Sequence, residues 1–280
     1  MKAVESTSYR VTFPGGIDGV KLSGIIDRPR EASESGSRVA VFSHCFTCSK
    51  DLKATVRISR ALAQLGVAVL RFDMTGLGGS EGDFSSSNFS TNLADLAAAI
   101  QFANAELGPV TSLIGHSFGG IASLVTAALA DGQADDSILA DLSFVATLAA
   151  PSDTHHLATL LSQMNPEIES HGLGTVTIGG MTWTVRDQML ADFRRHNVTD
   201  ILPHVNCPVL LMHSPTDETV GFDHAIRLMS LIQTNRSAGG AAAITPVSLV
   251  ALPGADHLLS NDPSDVRFVA NLLAAWCHRF

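Results

Sequence analysis

The feature that most constrains this fold is an alternation. Short apolar runs at 38–43 (RVAVFS), 67–73 (VAVLRFD), 110–115 (VTSLIG), 143–149 (SFVATLA), 208–214 (PVLLMHS) and 246–253 (PVSLVALP) have the length of buried strands. Most are followed by a stretch with helical spacing. Residues 51–65 place Ala54, Ile58, Ala61, Leu62 and Leu65 on one face and stop at Gly66; residues 91–107 do the same with Leu93, Leu96, Ile100 and Leu107. Further helices are predicted at 118–130, 222–233 and 264–278. Strand and helix in alternation imply an α/β fold, a mostly parallel twisted sheet with helices on both faces. YRVTF and VKLSGIID, joined through Pro14–Gly19, read as a hairpin ahead of it.

The pattern breaks once, between about 151 and 204. TVTIGGMTWTV (175–185) reads as a small hairpin with a Gly-Gly turn, flanked by helical stretches. This segment is expected to be a small cap inserted into one domain spanning 1–280. TNRSAGGAAAITP (234–246) reads as a flexible surface connection.

LIGHSFGG contains Gly115-His116-Ser117-Phe118-Gly119, a G-x-S-x-G between an apolar strand and an apolar helix. That context is a nucleophile elbow: small flanking residues allow a sharp turn that lifts Ser117 above the sheet edge. A serine hydroxyl needs a base, and the partners should follow in the order acid, then histidine, in loops after later strands. The chain has 11 histidines, so position decides. His257 lies directly after the last strand, in LPGADHLLS, and Asp217 after the preceding one, in LMHSPTDETV. Asp217 would hold the imidazole tautomer and His257 would take the serine proton. A turn or capping role is the other reading of Asp217, and Asp153 is the rival acid. His116 should point away from the reacting oxygen.

Acyl transfer also needs two amide donors for the oxyanion. One is Phe118, after the nucleophile. The other belongs to the loop after an earlier strand. FSHCFTC occupies that place and makes the Phe46 N–H the second donor. Cys45 and Cys48 then read as small thiols that shape the loop. A zinc site would need ligands that Cys207 and Cys277 do not supply in a second C-x-x-C. A disulfide between Cys45 and Cys48 is a further reading.

FSHCFTCSKDL, VLRFDMTGLGGSEGDFSSSNFSTN, LIGHSFGG, LMHSPTDETVGFDHA and GADHLLS together resemble the α/β-hydrolases often fused to an osmotically-inducible-protein-C-like (OsmC-like) domain. The resemblance spans nearly the whole chain. It implies the α/β-hydrolase fold and, by motif position, a triad of Ser117, Asp217 and His257. Fused relatives continue into a hydroperoxide-reducing domain; this chain ends at Phe280, so that second activity is not expected of it.

Charge narrows the partners. The formal net charge is −9 with no basic run, against nucleic acid and anionic membrane. The start, MKAVESTSYR, lacks an apolar core, so a cytoplasmic protein is expected. The expected activity is a serine carboxylesterase acting on small-molecule esters through an acyl-enzyme, with no cofactor and no metal. A thioesterase or peptidase is the alternative within catalysis, and a non-catalytic binding module the alternative outside it. The sequence sets no oligomeric state; a dimer is compatible with it.

Overall fold

The computed structural model describes residues 3–31, 38–130, 138–233 and 245–280. Ten strands and nine α-helices occur in this part of the chain. An eight-stranded sheet takes in β1 (Ser6–Pro14), β2 (Lys21–Pro29), β3 (Arg38–Ser43), β4 (Val67–Phe72), β5 (Ser112–His116), β6 (Phe144–Leu148), β9 (Val209–His213) and β10 (Val247–Ala251). Their order across the sheet is β1-β2-β4-β3-β5-β6-β9-β10. β1 and β2 form an antiparallel hairpin, and β2 pairs antiparallel with β4. Every other pairing in this sheet is parallel. The carboxyl ends of β3 to β6, β9 and β10 therefore face one way, where ligands of such sheets bind.

The helices follow their apolar periodicity. α1 (Lys53–Gln64) buries Ala54, Ile58 and Leu62 against the same side of the sheet as α9 (Pro263–Arg279), which contributes Val266, Val269 and Leu273. α2 (Phe89–Leu107) and α3 (Phe118–Ala130) belong to the cluster on the other side, which includes Leu96, Ile100, Ile121 and Val125. α2 begins two residues before the expected Thr91. The cause is local: Asn88 accepts the Thr91 N–H at 2.9 Å while Thr91 Oγ1 accepts the Asn88 N–H at 2.8 Å, a reciprocal cap.

Between β6 and β9 lie α4 (His155–Met164), α5 (Glu167–His171), β7 (Leu173–Ile178), β8 (Met181–Arg186), α6 (Asp187–Arg195) and α7 (Val198–Ile201). Among the described residues, β7 and β8 pair only with each other. Their turn is Gly179-Gly180, both in the left-handed region (φ 60° and 78°), which is why two glycines stand there. α8 (Phe222–Gln233) leads out of the β9 loop. Most of the connection expected at 234–246 lies outside the described residues. Among the described residues no helix is long and apolar enough to cross a membrane.

Candidate active site

Ser117 is placed by backbone geometry. It sits between β5 and α3 with φ 52°, a left-handed conformation that a residue with a Cβ adopts only when its surroundings impose it. The surroundings explain the flanking glycines. A Cβ on Gly115 would lie 2.2 Å from the Gly119 oxygen, and one on Gly119 only 2.3 Å from the Ser43 oxygen and 2.5 Å from the His44 oxygen. The elbow is thus pressed against the end of β3, and the two loops that carry Phe46 and Phe118 are drawn together.

The structure brings the three predicted polar residues into one hydrogen-bonded run. Ser117 Oγ is 3.0 Å from His257 Nε2, and His257 Nδ1 is 2.8 Å from Asp217 Oδ2. Asp217 is buried, and its other oxygen accepts the N–H groups of Thr219 (2.8 Å) and Val220 (3.0 Å). Burial pushes this carboxyl up, but the hydrogen bonds from His257, Val220 and Thr219 outweigh it and hold the pKa below its usual value. A carboxylate at Oδ2 obliges Nδ1 to carry the imidazole hydrogen, leaving Nε2 as an acceptor toward Ser117. Asp153, the rival acid, is turned elsewhere: it caps the His156 N–H at 3.0 Å and pairs with Arg227 at 3.4 Å.

Two further histidines brace this run. His116 is buried, and its Nε2 donates to the main-chain oxygen of His257 at 2.7 Å. Desolvation, with the nearby His257 imidazole as the next cause, pushes its pKa down to about 4, so it is neutral near pH 7. His213 donates from Nε2 to the Val220 oxygen at 2.8 Å, behind Asp217; burial lowers its pKa as well.

The loop after β3 has an equally defined direction. Met74 N–H donates to His44 Nε2 at 3.2 Å, so Nδ1 carries the hydrogen of this neutral, buried ring. Burial is the main reason its pKa is lowered. Nδ1 then donates to the Cys45 oxygen at 2.8 Å, and the Cys48 N–H reaches the same oxygen at 3.1 Å. A trans peptide points its N–H opposite to its C=O. Holding the Cys45 carbonyl therefore aims the Phe46 N–H the other way. Phe118 is the first residue of α3, so its N–H has no acceptor one turn back.

The cysteines differ from the expectation of two free thiols: Cys45 and Cys48 form a disulfide. The reason is the turn between them. Thr47 adopts φ 58°, and the turn brings the two Cα atoms to 5.3 Å, within bridging range. Beneath the loop, Asp73 at the end of β4 accepts hydrogen bonds from the Lys50 N–H (2.6 Å), Lys50 Nζ (2.5 Å) and the Gly79 N–H (2.7 Å). Arg71 reaches both Asp27 (2.8 Å) and the Lys50 oxygen (2.8 Å). These contacts tie residues 44–51 to the loop after β4.

Rings pack around the same loop. Phe46 lies 5.5 Å from Phe84, 5.6 Å from Phe118 and 6.0 Å from Phe193 of α6, centroid to centroid. Phe84 in turn meets Trp183 of β8 at 4.9 Å. The segment between β6 and β9 thus reaches the residue that carries the aimed amide. Among the described residues, no group of three or more His, Cys, Asp or Glu side chains is placed to hold a metal ion.

Residues 40–270 match the alpha/beta hydrolase family. The chain belongs to that family. The esterase domain of a Rhodothermus marinus protein is 36% identical, with 98% of each chain covered and a TM-score of 0.70. The Est1E structure from Butyrivibrio proteoclasticus with ferulic acid bound is 20% identical, with 96% of this chain and 98% of that one covered, at a TM-score of 0.76; at that identity it shows the fold alone. A lysophosphatidylserine lipase, ABHD12 of Danio rerio, is 26% identical over 211 residues, which is 74% of this chain and 50% of that protein. The chain spans about half the length of this curated relative. This α/β-hydrolase thus has esterase and lipase relatives. Its sequence did not assign roles to His44, Lys50 or Asp73. The only signal was their nearness to apolar strand ends, which many residues share.

Proposed function

We propose that this protein is a serine hydrolase that cleaves small carboxylic esters through an acyl-enzyme. The observation that carries the reading is the unbroken run from Asp217 through His257 to Ser117, with the serine held at a left-handed turn. In the forward step Ser117 Oγ attacks the ester carbonyl while His257 Nε2 takes its proton. The Phe46 and Phe118 N–H groups receive the developing oxyanion. The alcohol leaves with the proton from His257. Water, deprotonated by the same nitrogen, then releases the acid and restores Ser117. No cofactor enters the scheme, and a small-molecule ester is the only partner it needs.

A modest acyl or aryl group suits the ring-lined surroundings of Phe46, Phe84 and Trp183. The kinship with an esterase domain supports ester over thioester or peptide. The OsmC-like fusion partner of the resembled hydrolases stays part of the proposal only as a context in which such a domain works. The test is a series of p-nitrophenyl esters of graded chain length, assayed with the wild type and with Ser117→Ala. Activity highest on short chains and absent in the variant is expected. Equal turnover by the variant at matched purity would remove the assignment, and so would failure of a fluorophosphonate to label Ser117.

A further inference from the structure

We propose that Cys45 and Cys48 are a reversible thiol–disulfide site that sets the rate of acyl transfer through the direction of the Phe46 amide. The proposal rests on the ester-hydrolase reading above. It is carried by what the bridge encloses. The crosslink spans two residues, Phe46 and Thr47. Phe46 supplies the aimed N–H. Thr47 is β-branched and held at φ 58°, a conformation such a residue leaves when nothing constrains it. A relaxing Thr47 would rotate the peptides on either side of it, and the second of these carries the Cys48 N–H that holds the Cys45 carbonyl and, through it, the Phe46 amide. The disulfide closes the turn across that strained residue and keeps the Phe46 amide on its line.

The site is also placed to react. Cys45 is buried, at 4% exposure, whereas Cys48 is half-buried. An incoming thiolate meets the Cys48 sulfur first. In the step, one sulfur of a small dithiol attacks Cys48 Sγ and the Sγ–Sγ bond breaks. Its electron pair goes to Cys45 Sγ, which takes up a proton. The second sulfur of the reagent then attacks the first, closing a cyclic disulfide and releasing Cys48 as a thiolate that is protonated in turn. Two electrons and two protons have passed from the dithiol to the protein. The reverse step takes a small-molecule disulfide as oxidant.

The dithiol form keeps part of the loop's order. His44 Nδ1–H still points at the Cys45 oxygen, at 2.8 Å in the bridged form, and Lys50 stays tied to Asp73, while the Cys48 N–H turns away with Thr47. The donor is therefore loosened rather than lost. Removing an oxyanion donor outright costs about 10²–10³ in kcat, so a loosened one should cost about tenfold, with KM little changed. Cys277 does not compete for reagent: it is buried, and desolvation holds its thiol up at about 12.

The experiment compares the oxidised protein with protein treated with dithiothreitol and desalted under nitrogen. The state of Cys45 and Cys48 is read by alkylation and peptide mass. The reduced form should show kcat about tenfold lower at a similar KM, with slower fluorophosphonate capture of Ser117, since the phosphonyl oxygen uses the same donors. Re-oxidation with a small disulfide should restore both rates. The Cys45→Ser/Cys48→Ser protein should sit at the reduced level and ignore reductant. Should that variant fail to fold, the wild-type redox comparison decides alone. Full turnover by protein shown to carry both thiols would overturn the proposal while leaving the hydrolase reading intact. Absence of Ser117 labelling in both redox states would overturn the hydrolase reading and this one with it.

Discussion

His116 donates its Nε2 hydrogen to the main-chain oxygen of His257, 2.7 Å away. The residue before the proposed nucleophile thus holds the backbone of the proposed base. The two functional loops come from β5 and from the chain after β10, and this bond joins them directly. His116→Phe would keep the volume and lose the donor. We expect kcat to fall about ten- to a hundredfold, as for a base misplaced by a fraction of its reach, with KM nearly unchanged. His116→Gln, which restores an N–H of similar reach, should recover part of the loss. Equal activity in all three proteins would show that the bond does not position the base.

The two acids separate cleanly. Asp217→Asn keeps the shape but no longer enforces the Nδ1–H tautomer, and a loss of about 10⁴ in kcat is expected. Asp153→Asn should stay within a few-fold of wild type, because Asp153 faces Arg227 and His156 instead. Steady-state kinetics on one short-chain ester checks both. A larger loss in Asp153→Asn would reverse the assignment.

How far the sequence alone could reach is visible in these same residues. The strand–helix alternation placed Ser117, Asp217 and His257 at the same end of the sheet, since each follows a parallel strand. It favoured Asp217 but left Asp153 as a rival, because both follow strands; side-chain direction separates them. The Gly-Gly turn of the β7–β8 hairpin was legible because two left-handed positions demand glycine. The state of Cys45 and Cys48 was not, since it depends on the φ of Thr47, for which threonine carries no signal. The Lys50–Asp73 pair joins residues 23 apart with no periodicity between them. His44 could be seen beside Cys45, but its role depends on the Met74 amide, brought there by β4.

The buried histidines make stability sensitive to acid. His116 titrates near 6.5 in an unfolded chain and at about 4 in the fold. Between these values the unfolded state binds the extra proton, so stability falls as pH is lowered through that window and is unaffected above it. Desolvation lowers His44 and His213 in the same direction. The His116 share alone is about 3 kcal/mol by the time pH reaches 4. Urea titrations from pH 7 to 4 should show this decline, and His116→Gln should flatten it. A variant as acid-sensitive as wild type would place the effect elsewhere.

His44 should affect rate more than its distance from the ester suggests. His44→Leu removes the donor that holds the Cys45 carbonyl, which frees the Phe46 amide to turn away. A kcat loss approaching that of one missing oxyanion donor, about 10²-fold, is expected. His44→Asn, whose side-chain N–H stands near the place of Nδ1, should lose less. Equal losses in the two variants would mean that the ring acts through packing alone.

The last prediction concerns the base of the loop after β3. Lys50 Nζ and Asp73 form a buried ion pair, with side-chain exposures of 7% and 0%. Lys50→Met fills the same space and leaves Asp73 with two amide donors and, among the described residues, no ion-pair partner. Removing one partner of a buried pair costs about 3–5 kcal/mol, because the remaining charge is uncompensated. For a chain of this size that corresponds to a Tm lower by on the order of 10 °C. Lys50→Met/Asp73→Asn, which removes both charges, should regain much of the loss. The Asn can still accept one amide bond, so recovery will be incomplete. Calorimetry of the two variants measures the difference directly. A double variant no more stable than Lys50→Met would show that Asp73 is needed for its amide bonds, not for its charge.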